Sequence, residues 1–197
     1  MLILELLLKY SSLLNVVVTF LAGVTALVVY LLSKRHERKS AATILLMDIR
    51  NAENVVLSIK DKGLDLWTKE ILTDNNWNKL KHLFVGEFSN DEITAFNRFF
   101  DSCSEMKDAR SRMRDLFYAT LTSKAQVYQQ KLYDIDDLNS PNGMQKQQEL
   151  FQNINRDFGV FDADEPKQRF LKNLELMGIL SNTTGFLKLK KYAGEKA

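Results

Sequence analysis

Val16-Val17-Val18-Thr19-Phe20-Leu21-Ala22-Gly23-Val24-Thr25-Ala26-Leu27-Val28-Val29-Tyr30-Leu31-Leu32, followed after Ser33 by Lys34-Arg35-His36-Glu37-Arg38-Lys39, is the stretch that decides how this chain is organised. From Tyr10 through Ser33 the chain runs 24 positions without a formal charge. At ~1.5 Å per residue, a helix over that run is roughly 36 Å long, enough to cross a ~30 Å hydrocarbon core with some tilt. The pattern predicts a transmembrane anchor in residues 1–33, a basic juxtamembrane segment over 34–40, and a folded part beyond it.

Orientation follows from the flanks. Residues 34–39 carry four positive charges and one negative, whereas only Glu5, Lys9 and the amino terminus precede the span. Basic flanks are retained in the cytoplasm. The expected placement is a single pass through the inner (plasma) membrane, N-terminus outside and C-terminal domain cytoplasmic. A cleaved signal peptide would put its charge before a shorter apolar run and end in small residues; here the charge follows the run and no A-x-A site does. A buried core helix rarely stays uncharged so long, and an interfacial helix would show a charged face that Val16–Leu32 lacks. Leu2, Ile3, Leu6, Leu7 and Leu8, around Glu5 and Lys9, either extend the helix or lie along the outer surface. Thr19 with Gly23, and Ala22 with Ala26, are small pairs four residues apart, a spacing that lets helices pack closely in lipid.

The remainder is long enough to bury one core. Each end of it, 34–39 and 188–197, carries a net charge of +3, which leaves −4 for the body between them. A mildly acidic body argues against a nucleic-acid face. One cysteine, Cys103, excludes an internal disulfide framework and fits a reducing compartment. No G-x-G or G-K-[ST] occurs, so neither a dinucleotide fingerprint nor a P-loop can be built.

Helical periodicity dominates the rest. Leu45, Ile49, Ala52, Val56 and Ile59 fall three or four apart, an apolar helix face that ends at Gly63. Nothing between Ser33 and Ser40 breaks a helix, so this one can continue straight from the span. Residues 64–88, with Leu64, Leu66, Trp67, Ile71, Trp77, Leu80, Leu83 and Phe84, fit two short helices, the second capped by Asn75 or Asn76. Ser89-Asn90-Asp91-Glu92 is a capping box. The helix it opens keeps a three-or-four spacing from Ile93 through Phe96, Phe100, Cys103, Met106, Ala109, Met113, Phe117, Leu121, Ala125, Tyr128 and Leu132 to Ile135. Ser140-Pro141-Asn142-Gly143 reads as a turn. Met144–Phe158 gives an amphipathic helix through Phe151 and Ile154. Asp164 reads as an N-cap, with Pro166 in the first turn of a helix ending near Gly178.

The expected fold is all-α: the transmembrane helix, then a cytosolic helical bundle over 41–187 with a long antiparallel hairpin (41–61 against 90–138), then a basic tail over 188–197. The coiled-coil-like stripe suits pairing within one chain or between chains.

Chemistry-bearing residues are few. A Cys103–His82 nucleophilic pair is conceivable, but Cys103 falls on the apolar stripe, where cysteine serves as a small hydrophobe. A di-metal carboxylate site needs two Glu-x-x-His pairs, and a tetrahedral zinc site needs more Cys and His than the chain has. Asp134, Asp136 and Asp137 fail the EF-hand spacing, since Asn139 stands where glycine is required. No metal, cofactor or small-molecule substrate is expected. Lys107, Arg110 and Arg114 share one helix face, either solvated and partly paired with Asp108 and Asp115 or open to an anion or acidic partner. Lys34, Arg35, Arg38 and Lys39, with Lys188, Lys190 and Lys191 in the tail, are the expected membrane-surface contacts, each lysine near an anionic leaflet adding ~1 kcal/mol. Asn182-Thr183-Thr184 matches a glycosylation sequon that a cytoplasmic placement leaves unused.

Trp77-Asn78-Lys79-Leu80-Lys81-His82-Leu83-Phe84, with Asp91-Glu92-Ile93 and Phe99-Phe100, resembles uncharacterised bacterial proteins that have one N-terminal span and a helical cytosolic part. The resemblance covers about a fifth of the chain and implies the same layout, with no activity to transfer. The functional expectation is a non-enzymatic membrane-anchored interaction module, regulator or scaffold, with bacterial anti-phage defence as one context. Its partners would be the lipid bilayer and a protein, or a second copy of itself. The alternative is a self-oligomerising effector that perturbs the bilayer on sensing a cytosolic signal.

Overall fold

With no breaker between them, the apolar run, the basic cluster and the stripe that follows form one helix, α1 (Leu2–Lys62). The computed structural model describes residues 2–65, 68–157 and 164–195, with side chains from residue 15 onward and Asp164 excepted. At 61 residues α1 is about 90 Å long. It stops at Gly63, whose φ of +85° only glycine adopts without strain; the Gly63 N–H still donates to the Ile59 carbonyl at 2.8 Å.

The two halves of α1 meet different surroundings. From Val16 to Leu32 every side chain is exposed, and this part is long and apolar enough to cross a membrane. From Ala41 on, one face is buried: Ala42, Leu45, Leu46, Ile49 and Ala52 are fully enclosed, and Val56 and Ile59 nearly so.

The chain then forms α2 (Asn76–Leu80), a 3-10 turn (Lys81–Leu83), α3 (Asn90–Leu132), α4 (Pro141–Asp157), α5 (Asp164–Leu176) and α6 (Thr184–Ala193). The fold is all-α, with no strand among the described residues. One core joins the second half of α1 to α2, the first half of α3, α5 and α6. Its centre is aromatic. Trp77 stacks on Phe96 with centroids 4.8 Å apart, Phe84 on Phe88 at 5.7 Å, and Phe99 meets Phe100 edge-on at 5.4 Å. Each such pair adds ~1 kcal/mol beyond the area it buries. The Trp77 indole N–H donates to Asn97 Oδ1 at 2.7 Å, so the ring is buried without an orphaned donor. The Trp77–Phe84 and Phe99-Phe100 stretches thus serve folding.

Several expectations need correction. The expected hairpin arms share this core, but the nearest backbone neighbour of α1 is α6 and that of α3 is α5. Residues 68–75 form no helix; Leu66 and Trp67 lie outside the described residues. The loop's carbonyls are satisfied from α3 instead: Arg110 Nε donates to the Thr68 carbonyl at 2.7 Å, and Lys107 Nζ donates to that of Thr73. Adjacent Ile71 and Leu72 are both buried. Asn75 caps α2, accepting the Asn78 N–H at 3.2 Å, while Asn76 reaches back to Asp48 at 2.9 Å. Ser140-Pro141 opens α4 rather than forming a free turn. Ser140 Oγ accepts the Gly143 N–H at 3.0 Å, and proline is pre-set for a first helical position. The expected Phe158 contact lies outside the described residues, and so does capping by the Asp164 side chain.

Candidate functional site: a cationic cleft at the end of the apolar run

The expected basic tail over 188–197 continues the helix α6 (Thr184–Ala193), packed across α1 through Phe186, Leu189 and Ala193. Thr183 caps it, its hydroxyl accepting the Phe186 N–H at 3.3 Å. Two anchors fix its position. On α1, Glu53 Oε1 accepts the Leu180 and Ser181 N–H groups at 2.8 and 3.1 Å, and Oε2 takes the Ser181 hydroxyl. On α3, Glu92 accepts its own capping-box N–H from Ser89 at 2.8 Å, the Thr184 hydroxyl at 2.9 Å and Lys188 Nζ at 2.7 Å. Gly185 lets α6 approach this closely, because a Cβ there would lie 2.7 Å from Phe96 Cε2.

Burial alone would raise the Glu92 pKa, but Lys188, the Ser89 N–H and Thr184 outweigh it and hold the carboxyl down at about 2. An ionised Glu92 therefore ties the start of α3 to α6 at neutral pH.

Docking α6 in this way brings the two basic ends of the sequence together. Lys34, Arg35, Arg38 and Lys39 of α1 and Lys188 and Lys191 of α6 line one cleft of about 800 Å³, with Leu31, Tyr192, Gly194 and a single acid, Glu87. Arg38 pairs with Glu87 at 3.4 Å and Lys188 with Glu92 at 2.7 Å. Burial, with hydrogen bonding to Glu87, raises the Tyr192 pKa, so its hydroxyl stays protonated as a donor. Of the seven basic residues expected at the membrane surface, only Lys190 does not line this cleft.

Of the other sequence candidates, Lys107, Arg110 and Arg114 line one surface depression of about 320 Å³ together with Glu70, Asp115 and Tyr118. Lys107 and Arg110 direct their donors to the 68–75 loop, and Lys107 also pairs with Glu70 at 3.4 Å. Asp108 pairs with Arg169 of α5 at 2.8 Å, not with those cations. Arg114 has no ion-pair partner among the described residues. Cys103 is fully buried with its Sγ 3.4 Å from Met177 Sδ, and burial pushes its thiol up to about 12. His82 is exposed. Thr19, Ala22, Gly23 and Ala26 are exposed on α1, and a Cβ added at Gly23 would meet nothing within 4 Å among the described residues.

Sequence reasoning missed Glu53 and Glu92 as the anchors of α6. Only the capping-box role of Glu92 carried a local signal. The chain matches no protein-family model, no curated protein and no solved structure.

Proposed function

We propose that this is a non-enzymatic, single-pass protein of the inner membrane, N-terminus outside, whose cytosolic helical bundle serves as an interaction module or scaffold for a protein partner. The observation that carries the reading is the continuity of α1. Its first half is the span and its second half is a wall of the core. A shared helix leaves no flexible linker, so the folded part stands at a fixed height and angle above the bilayer.

The surface for the partner is the arm formed by the second half of α3 and α4. Beyond Met113 the α3 stripe leaves the core. Tyr128 meets Phe151 edge-on at 5.9 Å, but Leu121 remains 53% and Phe151 57% exposed. Apolar side chains grouped on a projecting arm are the usual mark of a protein contact.

The test is the mass of the full-length protein drawn gently from native membranes in detergent, with its companions identified. A stoichiometric foreign protein supports the scaffold. A pure homo-oligomer favours the self-assembling effector, and a lone monomer counts against both.

A further inference from the structure

We propose that the cleft between α1 and α6 binds the phosphate-bearing headgroup of an anionic phospholipid. The inference rests on α1 crossing the bilayer and adds a ligand to that reading. Depth is the first argument. Lys34 to Lys39 begin two residues beyond Leu32, the last apolar residue of the span. At ~1.5 Å per residue they occupy roughly the next 9 Å, enough to cross the headgroup layer of about 5–8 Å on that side of the hydrocarbon core.

Charge is the second. Six cations face one carboxylate across the cleft. Arg38 and Lys188 have acidic partners, whereas Lys34, Arg35, Lys39 and Lys191 have no ion-pair partner among the described residues. Lys34 only overhangs the Tyr30 ring, 5.6 Å from its centroid. Four unpaired cations lining one cleft repel one another, because charges closer than a Debye length of ~10 Å are little screened, and a bound phosphate turns that repulsion into attraction. The Arg35 guanidinium, with no acid of its own, supplies the fork that phosphate oxygens accept in pairs.

Shape is the third. Leu31 forms part of the wall, so the cleft opens onto the lipid-facing side of the span. A headgroup can enter from that side while its acyl chains stay against α1. A free phosphate would have no use for that apolar edge.

The experiment uses the full-length protein in detergent, offered equimolar dioleoyl-phosphatidylglycerol and dioleoyl-phosphatidylcholine and analysed by native mass spectrometry. One phosphatidylglycerol should be retained per chain with a preference of about fivefold or more. Arg35→Gln/Lys39→Gln/Lys191→Gln should bring the preference close to parity. Lys60→Gln/Lys62→Gln/Lys69→Gln removes the same charge from exposed positions away from the cleft and should leave it intact. All six side chains are exposed, so both variants should fold, which circular dichroism checks. Equal retention of the two lipids overturns the proposal, and so does equal loss in both triple variants. Displacement of the lipid by millimolar inorganic phosphate would assign the cleft to a soluble anion and overturn it as well. Release of the protein from membranes by alkaline carbonate overturns the span itself, and the lipid site with it. Retention in the membrane without lipid preference overturns the cleft alone.

Discussion

Glu92 is where local and distant structure meet in one side chain. Its carboxylate closes the capping box of α3 and also receives Thr184 and Lys188, which follow it by 92 and 96 residues. The first role was legible in Ser89-Asn90-Asp91-Glu92, because both partners lie within one turn. The second was not, since nothing in a run of sequence indicates which lysine will arrive from α6. The depressed pKa makes the contact pH-dependent. A carboxyl held near 2, against an ordinary 4.5, adds stability above pH 4.5 and loses it as pH falls through that interval. Glu92→Gln should therefore lower stability at pH 7 by about 2 kcal/mol, the scale of a charge-assisted hydrogen bond. The gap between variant and parent should close between pH 4.5 and pH 2, as thermal melts in detergent would record. A gap that persists at the acid end would mean that packing, not charge, sets the role of Glu92.

Among the elements, α1 and the first half of α3 were readable because a three-or-four spacing identifies a helix and its buried face together. Periodicity does not name the partner. The stripes at Leu45–Ile59 and Phe96–Met113 both reach one core, yet α1 lies nearest α6 and α3 nearest α5. The loop at 68–75 escaped prediction for a related reason: its carbonyls are satisfied by Lys107 and Arg110, more than thirty residues away. Ser140-Pro141 did carry a local signal, an N-cap serine before a first-turn proline, which reading it as a turn passed over. The span makes its own prediction at this scale. No described residue crowds Gly23, so Gly23→Leu should leave the monomer's melting unchanged. If the span self-associates, the variant should shift the detergent-purified protein to lower mass and abolish any toxicity on overexpression. Unchanged mass and full toxicity would exclude Gly23 from a contact between copies.

At the scale of the whole molecule, one continuous helix carries both the apolar run fit to span a membrane and a wall of the core, and the second half of α3, beyond Met113, forms with α4 an arm outside that core. Leu121→Glu and Phe151→Glu place charge on exposed positions of that arm. They should release a bound protein partner; Leu121→Glu should shift stability by no more than ~0.5 kcal/mol, as surface substitutions generally do, and Phe151→Glu should cost about 1 kcal/mol, because it also removes the edge-on contact with Tyr128. Co-purification of the partner at an unchanged ratio would move the interface elsewhere. Length, composition and the order of charges determined the all-α class, the apolar run fit to span a membrane and the main helix faces. Each of these depends on residues within a few turns of one another. Tertiary structure alone decided that the basic C-terminal stretch is the packed helix α6, and that its lysines join those of α1. Lys39 and Lys191 are about 150 residues apart in sequence. What brings them to one cleft is the docking of α6 by Glu53, Glu92 and the space that Gly185 leaves beside Phe96. Such contacts arise between elements after each has formed, and the local periodicity that builds those elements does not encode them.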